Sequence, residues 1–381
     1  MIIFSPDEHL TYNLDTINLF GVGGGITARV RIAHALARLG HSVSLYVNCP
    51  IDEELDGVEY KRFQTVKNLR TDFLFISSSG KLDLSILNHI PRDVKRTILM
   101  VHGIEPPRGM DLACFDTFFV LSNFVRDILV RDWQISEKKI FVSHRGIMDS
   151  FFSPVDNWDL TKNPFDLVYV GHPEKGLAYA IRVLKQLRLR DQRFHLHVYG
   201  SEQLWGNEPQ SAGEIDGITF HGVIGQKELA KRLEFHTFSI NLQTRQEPFG
   251  MVLIEAMRAG CVVIASNVGA YPEIVQDTLN GYLVNGEPAN PEVIEQVAEL
   301  IEHLVKDKAL RAAVQRNAVK TPLDWQVIAE IWMGYLSWAQ IGEREVNKMG
   351  AIKYCEVCGS DLLKLADGYH CVECGRYFRI Q

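Results

Sequence analysis

An α/β chain built on parallel sheets is what this sequence predicts, and three observations carry the prediction. Strand-like and helix-like segments alternate over the first ~150 residues, the pattern of a parallel sheet with helices on its faces. The alternation restarts after Phe151-Phe152-Ser153-Pro154. The length of 381 residues exceeds one ordinary domain and leaves room for two domains and a small appendage.

Ile2 to Ser5, Ser42 to Val47, Asp72 to Ser77, Arg96 to Val101, Phe115 to Leu121 and Ile140 to His144 read as the first set of strands. Between the first two lies Gly24 to Leu39, with Ile26, Val30, Ala33, Leu36 and Ala37 at helical spacing and Gly40 as a natural stop. The stretch Pro154 to Pro164 is the expected linker. Beyond it, strands are expected at Phe165 to Val170, His195 to Tyr199, Ile218 to His221, Phe238 to Leu242 and Cys261 to Ala265. Helices are expected at Leu177 to Leu189, Gln226 to Glu234 and Phe249 to Ala259, then at Pro291 to Val305, Lys308 to Ala318 and Trp325 to Ala339.

Hydrophobic content of 46% and charged content of 23% describe a globular protein with material for its cores. The net charge of -7 gives no reason to invoke nucleic acid or an anionic membrane. No apolar run approaches the ~20 residues that span a bilayer. Met1 to Pro6 reads as a short strand rather than a signal peptide, and a cytoplasmic location is expected.

The stretch Gln246-Glu247-Pro248-Phe249-Gly250-Met251-Val252-Leu253-Ile254-Glu255 puts a turn and a glycine ahead of a helix, with carboxylates on both sides of its start. A helix N-terminus suits a phosphate, and ionised glutamates accept hydrogen bonds from hydroxyls. Acidic residues in a first turn also follow from the helix dipole alone. The continuation, Ala259-Gly260-Cys261 through Pro272-Glu273, reads as a glycine-ended helix, a buried strand and a glycine turn into another helix. Through these residues and Asn280-Gly281-Tyr282-Leu283-Val284 the chain resembles the donor lobe of the family-4 retaining glycosyltransferases, whose signature is this Glu-x7-Glu pair.

That resemblance covers roughly 165–285 strongly and 20–150 more weakly. It implies the GT-B architecture of two Rossmann-like lobes facing a cleft: an acceptor lobe over 1–153, a nucleotide-sugar donor lobe over 154–322, and a helix at 323–345 that crosses back. Under it, Glu255 takes the ribose hydroxyls and Glu247 those of the transferred sugar. Phe249, Gly250, Met251 and Val252 surround the sugar and diphosphate with backbone N–H groups. Lys175, in Val170-Gly171-His172-Pro173-Glu174-Lys175-Gly176, corresponds to the family's diphosphate lysine, and His172 stands where the family has arginine. His102-Gly103 corresponds to a histidine near the transferred sugar; Glu105 and Arg108 follow as acceptor contacts. Ser143-His144-Arg145-Gly146-Ile147-Met148 occupies the family's hinge, with Arg145 and Met148 replacing its usual Asn and Asp. Glu247, His102 and Lys175 are the expected catalytic residues, and no catalytic divalent metal is expected.

The loop Gly21-Val22-Gly23-Gly24-Gly25 formally opens a dinucleotide fingerprint with Ala28, but it does not follow the first strand directly. Asn48 also stands where an acidic ribose ligand would. As part of a transferase, Gly23, Gly24 and Gly25 bring bare backbone to the diphosphate, where a Cβ would obstruct.

Cys355-x2-Cys358-Gly and Cys371-x2-Cys374-Gly close the chain. Two such knuckles make a four-thiolate tetrahedral zinc site, here a small ribbon over 350–381 with a structural rather than catalytic ion. Lys353, Lys364, Arg376 and Arg379 balance Glu356, Asp361, Asp367 and Glu373, which disfavours nucleic acid and favours protein docking or capping of the fold. The expected function is sugar transfer from a nucleotide-diphosphate sugar to an acceptor in glycan synthesis. A nucleotide-sugar epimerase and a non-catalytic sugar-nucleotide-binding scaffold are the competing readings.

Overall fold

Two parallel sheets carry the chain in the computed structural model, which describes residues 1–154, 162–208, 213, 215–341, 362–364, 368–371 and 377–379. The first unit comprises Met1–Asn13, Gly25–Gly146 and the chain from Asp324 onward; the second comprises Leu14–Gly24 and Ile147–Leu323. Residues 14–24 and 147–153 thus group with the second unit.

The first unit's strands are β1 (Ile2–Phe4), β2 (Val43–Val47), β3 (Glu53–Leu55), β4 (Val58–Arg62), β5 (Leu69–Ser78), β6 (Arg92–Val101), β7 (Thr117–Val120) and β8 (Ile140–Val142). Their order is β3-β4-β2-β1-β5-β6-β7-β8. Only β3 runs antiparallel to its neighbour. The β3–β4 hairpin departs from the sequence expectation, because its charged residues hide a strand signal. Asp56 (φ 46°) and Gly57 (φ 77°) make its tight turn, and β4 gains a full parallel pairing with β2. Helices α2 (Gly24–Arg38), α3 (Asn123–Arg131) and α10 (Trp325–Ile341) accompany this sheet. α3, also unexpected, starts where Ser122 Oγ accepts from the Val125 amide at 3.2 Å. α10 buries Trp325, Ile328, Ala329, Ile331, Trp332, Tyr335 and Leu336. Trp332 stacks on Phe75 at 5.2 Å and meets Phe119 edge-on at 4.9 Å.

The second unit's strands are β9 (Asp166–Val170), β10 (His195–Tyr199), β11 (Ile218–Gly222), β12 (Phe238–Asn241), β13 (Val262–Ser266) and β14 (Tyr282–Val284), in the order β11-β10-β9-β12-β13-β14. This is the doubly wound order, and it reverses between β9 and β12. Its helices are α1 (Leu14–Leu19), α4 (Leu177–Arg188), α5 (Gln226–Leu233), α6 (Met251–Arg258), α7 (Tyr271–Ile274), α8 (Pro291–Lys306) and α9 (Lys308–Ala318). α8 shows why they dock: Val293, Ile294, Val297, Ala298, Ile301 and Leu304 form one buried stripe against α4 and the sheet.

A third, antiparallel sheet follows: β15 (Leu362–Lys364), β16 (Gly368–Cys371) and β17 (Tyr377–Arg379). Cys371 is buried at the end of β16. The expected ligands Cys355, Cys358 and Cys374 lie outside the described residues. Among the described residues, no helix is long and apolar enough to cross a membrane.

Candidate active site at the second unit's switch point

The sheet order reverses between β9 and β12, and the loops leaving their carboxyl ends carry most of the expected site. After β9 the chain turns through Gly171 and His172, whose carbonyl accepts from Tyr169 Oη at 2.7 Å. A short 3-10 turn then presents Lys175. After β12 it runs through Gln243 and Arg245 to Glu247. Lys175 Nζ lies 3.0 Å from Oε2 and 3.2 Å from Oε1 of Glu247. The expected phosphate lysine and the expected sugar carboxylate are therefore one ion pair. Gln243 Nε2 adds a contact to Glu247 at 3.4 Å, and its own Oε1 is buried without a partner.

Glu247 is held through its backbone. Its carbonyl accepts from the Ala270 amide at 2.9 Å. A Cβ on Gly269 (φ 54°) would fall 2.4 Å from that carbonyl oxygen, so only glycine lets the two loops approach. Gly250 caps α6 in the left-handed region (φ 116°), with Tyr271 where its Cβ would point. The helix therefore begins at Met251 rather than at Phe249. Its first amides, those of Met251 and Val252, have no intrahelical acceptor and carry the positive end of the dipole. Phe249 is buried beside them.

Glu255, 9% exposed, accepts from Gln226 Nε2 of α5 at 2.8 Å. It lines a recess shared with Met148, Phe152, Gln226 and Leu229.

The glycine loop packs against this unit. A Cβ on Gly24 would lie 3.1 Å from Met251 Cγ, which puts the loop against the start of α6. At Gly23 the nearest atom is 3.6 Å away and at Gly25 it is 3.9 Å, ordinary contacts that a methyl group tolerates. The residue that requires its missing side chain is Gly21, whose Cβ would come within 2.4 Å of Val223.

His172 is buried and stacked on Trp205, with ring centroids 3.5 Å apart. Its Nδ1 accepts from the Glu174 amide at 3.2 Å, so in the neutral ring Nε2 carries the proton, and that buried atom has no partner. Burial pushes its pKa below the ordinary value against the pull of Glu174 and Glu202. A cation nonetheless stands close by, one that the sequence pattern did not single out. The Arg245 guanidinium lies 5.2 Å from the Trp205 ring centre and 3.4 Å from Glu174 Oε2. The only sequence signal was an arginine two positions ahead of Glu247.

His102 belongs to the first unit, following β6. Its Nδ1 is 3.1 Å from Arg145 Nη2, and its Nε2 is buried without a partner. Burial, then the charges of Arg145 and Arg29, depress its pKa well below the ordinary value, so it is neutral. Arg145, expected only to form a hinge, is 4% exposed. Glu105 pairs with Lys81 at 3.0 Å, and Arg108 Nε donates to the Lys81 carbonyl.

Among the described residues, Asp166, His197 and His236 offer ligand atoms within 4.8 Å of one another. Burial, neighbouring imidazoles and the Lys162 ammonium hold His236 at about 2. That same ammonium opposes a cation there.

Comparison with known proteins bears on the fold and on the stretch that holds these residues. Glycogen synthase of Mycobacterium tuberculosis is 29% identical over 190 residues, covering 48% of this chain and 44% of that protein. Phosphatidyl-myo-inositol mannosyltransferase of the same organism is 26% identical over 211 residues, 53% of this chain and 55% of that one. The chain thus spans about half the length of the curated relatives it matches. Among solved structures, sucrose-phosphate synthase of Thermosynechococcus elongatus superimposes with a TM-score of 0.63 at 18% identity, covering 92% of this chain and all (100%) of that one. HepE of Anabaena, solved with UDP-glucose, gives 0.59 at 15% identity over 88% and 99% of the two chains. These likenesses establish a GT-B-like α/β fold. Residues 155–321, which hold Lys175, Glu247 and Glu255, match the family described as Glycosyl transferases group 1.

Proposed function

We propose that the chain is a retaining glycosyltransferase that moves a sugar from a nucleotide-diphosphate sugar to an acceptor. The observation that carries this reading is the Lys175–Glu247 pair at the sheet's switch point, beside the glycine-capped start of α6. Open α/β sheets bind ligands at that location. The diphosphate lies at the α6 N-terminus, where the dipole and Lys175 supply fixed positive charge, and Arg245 adds the charge that His172 lacks. Because departure of the diphosphate is the difficult step, donors already in place lower its barrier without reorganising. Glu247 accepts hydrogen bonds from the transferred sugar, Glu255 from the ribose, and the Nε2–H of His172 donates to a ligand oxygen. His102 is neutral and suits a hydrogen-bonding role near the sugar. Burial against protein excludes competing water.

In the C-terminal segment, Cys355, Cys358, Cys371 and Cys374 hold a structural zinc ion. The buried position of Cys371 and the antiparallel strands around it suit such a ribbon. A chelator should release one zinc per chain without unfolding the two larger units; loss of all cooperative melting would contradict a separate ribbon.

Incubating the protein with UDP- and GDP-sugars and a panel of acceptors tests the main reading. Transfer with the donor's anomeric configuration kept supports it. Formation of an epimer without acceptor would assign the chain to the epimerases, and neither binding nor turnover of any nucleotide sugar would sink the reading.

A further inference from the structure

Arg145 carries a buried charge with no ion-pair partner among the described residues. It follows β8, is 4% exposed, and among the described residues forms no ion pair; its one hydrogen bond goes to His102 Nδ1 at 3.1 Å. Arg29, 2% exposed and close enough to perturb it, is provided for: Asp7 lies at 3.1 Å, Ser5 Oγ at 2.6 Å and Tyr12 Oη at 2.7 Å. The Asp7 carboxylate is moreover shared with His9. The Asp7 carboxylate thus serves Arg29 and His9, and among the described residues no carboxylate pairs with Arg145. Burial, then the charge of Arg29, lowers the Arg145 pKa to about 9, which still leaves it cationic at neutral pH.

The neighbouring groups add hydrogen-bond donors. Arginine can only donate, so His102 Nδ1 accepts and the proton of the neutral ring sits on Nε2, buried and unpartnered. At the adjoining end of β5, Ser77 Oγ and Ser78 Oγ are also buried without partners. The serines and His102 stand at the carboxyl ends of β5 and β6, next to the reversal of strand order between β1 and β5, and Arg145 follows the edge strand β8. A neutral ligand would satisfy the donors and leave the charge uncompensated. An oxyanion satisfies both.

We propose that this edge of the first unit's sheet binds an oxyanion, a phosphate or carboxylate carried by the acceptor, through Arg145 with His102 beside it. Naming the acceptor as its carrier rests on the glycosyltransferase reading; the oxyanion site itself does not.

The test is calorimetric titration of the full chain with inorganic phosphate, alone and with saturating UDP or GDP. Wild type should bind phosphate under both conditions. Arg145→Met should weaken phosphate about tenfold or more while leaving nucleotide affinity within about twofold; Arg145→Lys should fall between. Arg145→Gln, which can still donate to His102, serves if the Met variant misfolds by circular dichroism. Equal phosphate affinity in wild type and variants, or no binding in wild type, overturns the proposal. Displacement of phosphate by the nucleotide also overturns it, by assigning the ion to the donor. Phosphate binding that depends on Arg145 in a chain that binds no nucleotide would keep the site and remove the glycosyltransferase reading.

Discussion

Lys175 and Glu247 come from loops 72 positions apart in sequence, yet the ammonium sits 3.0 Å from the carboxylate. In the proposed reading the pair joins the two halves of the donor site, the cation for the diphosphate and the acceptor for the sugar. A diphosphate arriving beside Lys175 would then compete for it with Glu247 and free the carboxylate for hydroxyls. Glu247→Ala should therefore reduce transfer by about two orders of magnitude or more and barely change the melting temperature. The pair is partly exposed, 36% and 16%, and such bridges contribute about 0–1 kcal/mol. Donor turnover and a thermal melt on the same preparation check both halves; a fully active variant would remove Glu247 from the site.

Gly269 is expected to control Glu247 from behind. Gly269→Ala must displace the Glu247 carbonyl and occupy a left-handed backbone, costing about 1–3 kcal/mol. Activity should drop with stability. Gly23→Ala, whose Cβ meets nothing closer than 3.6 Å, should stay within about 0.5 kcal/mol of wild type. Chemical denaturation of the two variants makes the comparison, and equal stability would show that the loop yields.

Arg245→Ala should raise the dissociation constant of a nucleoside diphosphate about tenfold, the equivalent of ~1.4 kcal/mol. The neutral His172 at the family's arginine position leaves this charge otherwise unsupplied. Titration with UDP and GDP measures it. An unchanged constant would show that Arg245 serves Trp205 and Glu174 alone.

His34 makes stability depend on pH. It is 3% exposed, bonds Tyr60 Oη at 2.9 Å, and burial lowers its pKa to about 4. The unfolded chain protonates near 6.5. Between those values the unfolded state binds a proton that the folded state refuses, so stability falls as pH drops from about 6.5 to 4. The loss is on the order of 2–3 kcal/mol. His34→Gln should flatten that part of the stability curve in melts taken from pH 7 to 4; an unchanged slope would place the proton uptake elsewhere.

Local pattern determined a large part of this protein. The apolar stripe of α8, the buried runs that became β5, β6 and β13, and the glycine before α6 are written in short stretches of chain, so sequence reading locates them within a few residues. The places of Lys175 and Glu247 in strand-to-helix loops, and of Glu255 inside α6, were legible too, because the patterns that position them are local. The β3–β4 hairpin was not, since its charged residues form a strand only once β2 offers a ladder.

Tertiary structure alone decided the charges. No spacing rule shows that Lys175 neutralises Glu247, that Arg245 stands close to His172, or that Arg145 is buried against His102 with no carboxylate partner among the described residues. Burial and counter-charge depend on which strand ends a sheet brings together, and that is fixed by strand order rather than by neighbours in sequence. The four cysteines lie at the other extreme: the proposal of a zinc site rests on their spacing, which needs no strand order to be read.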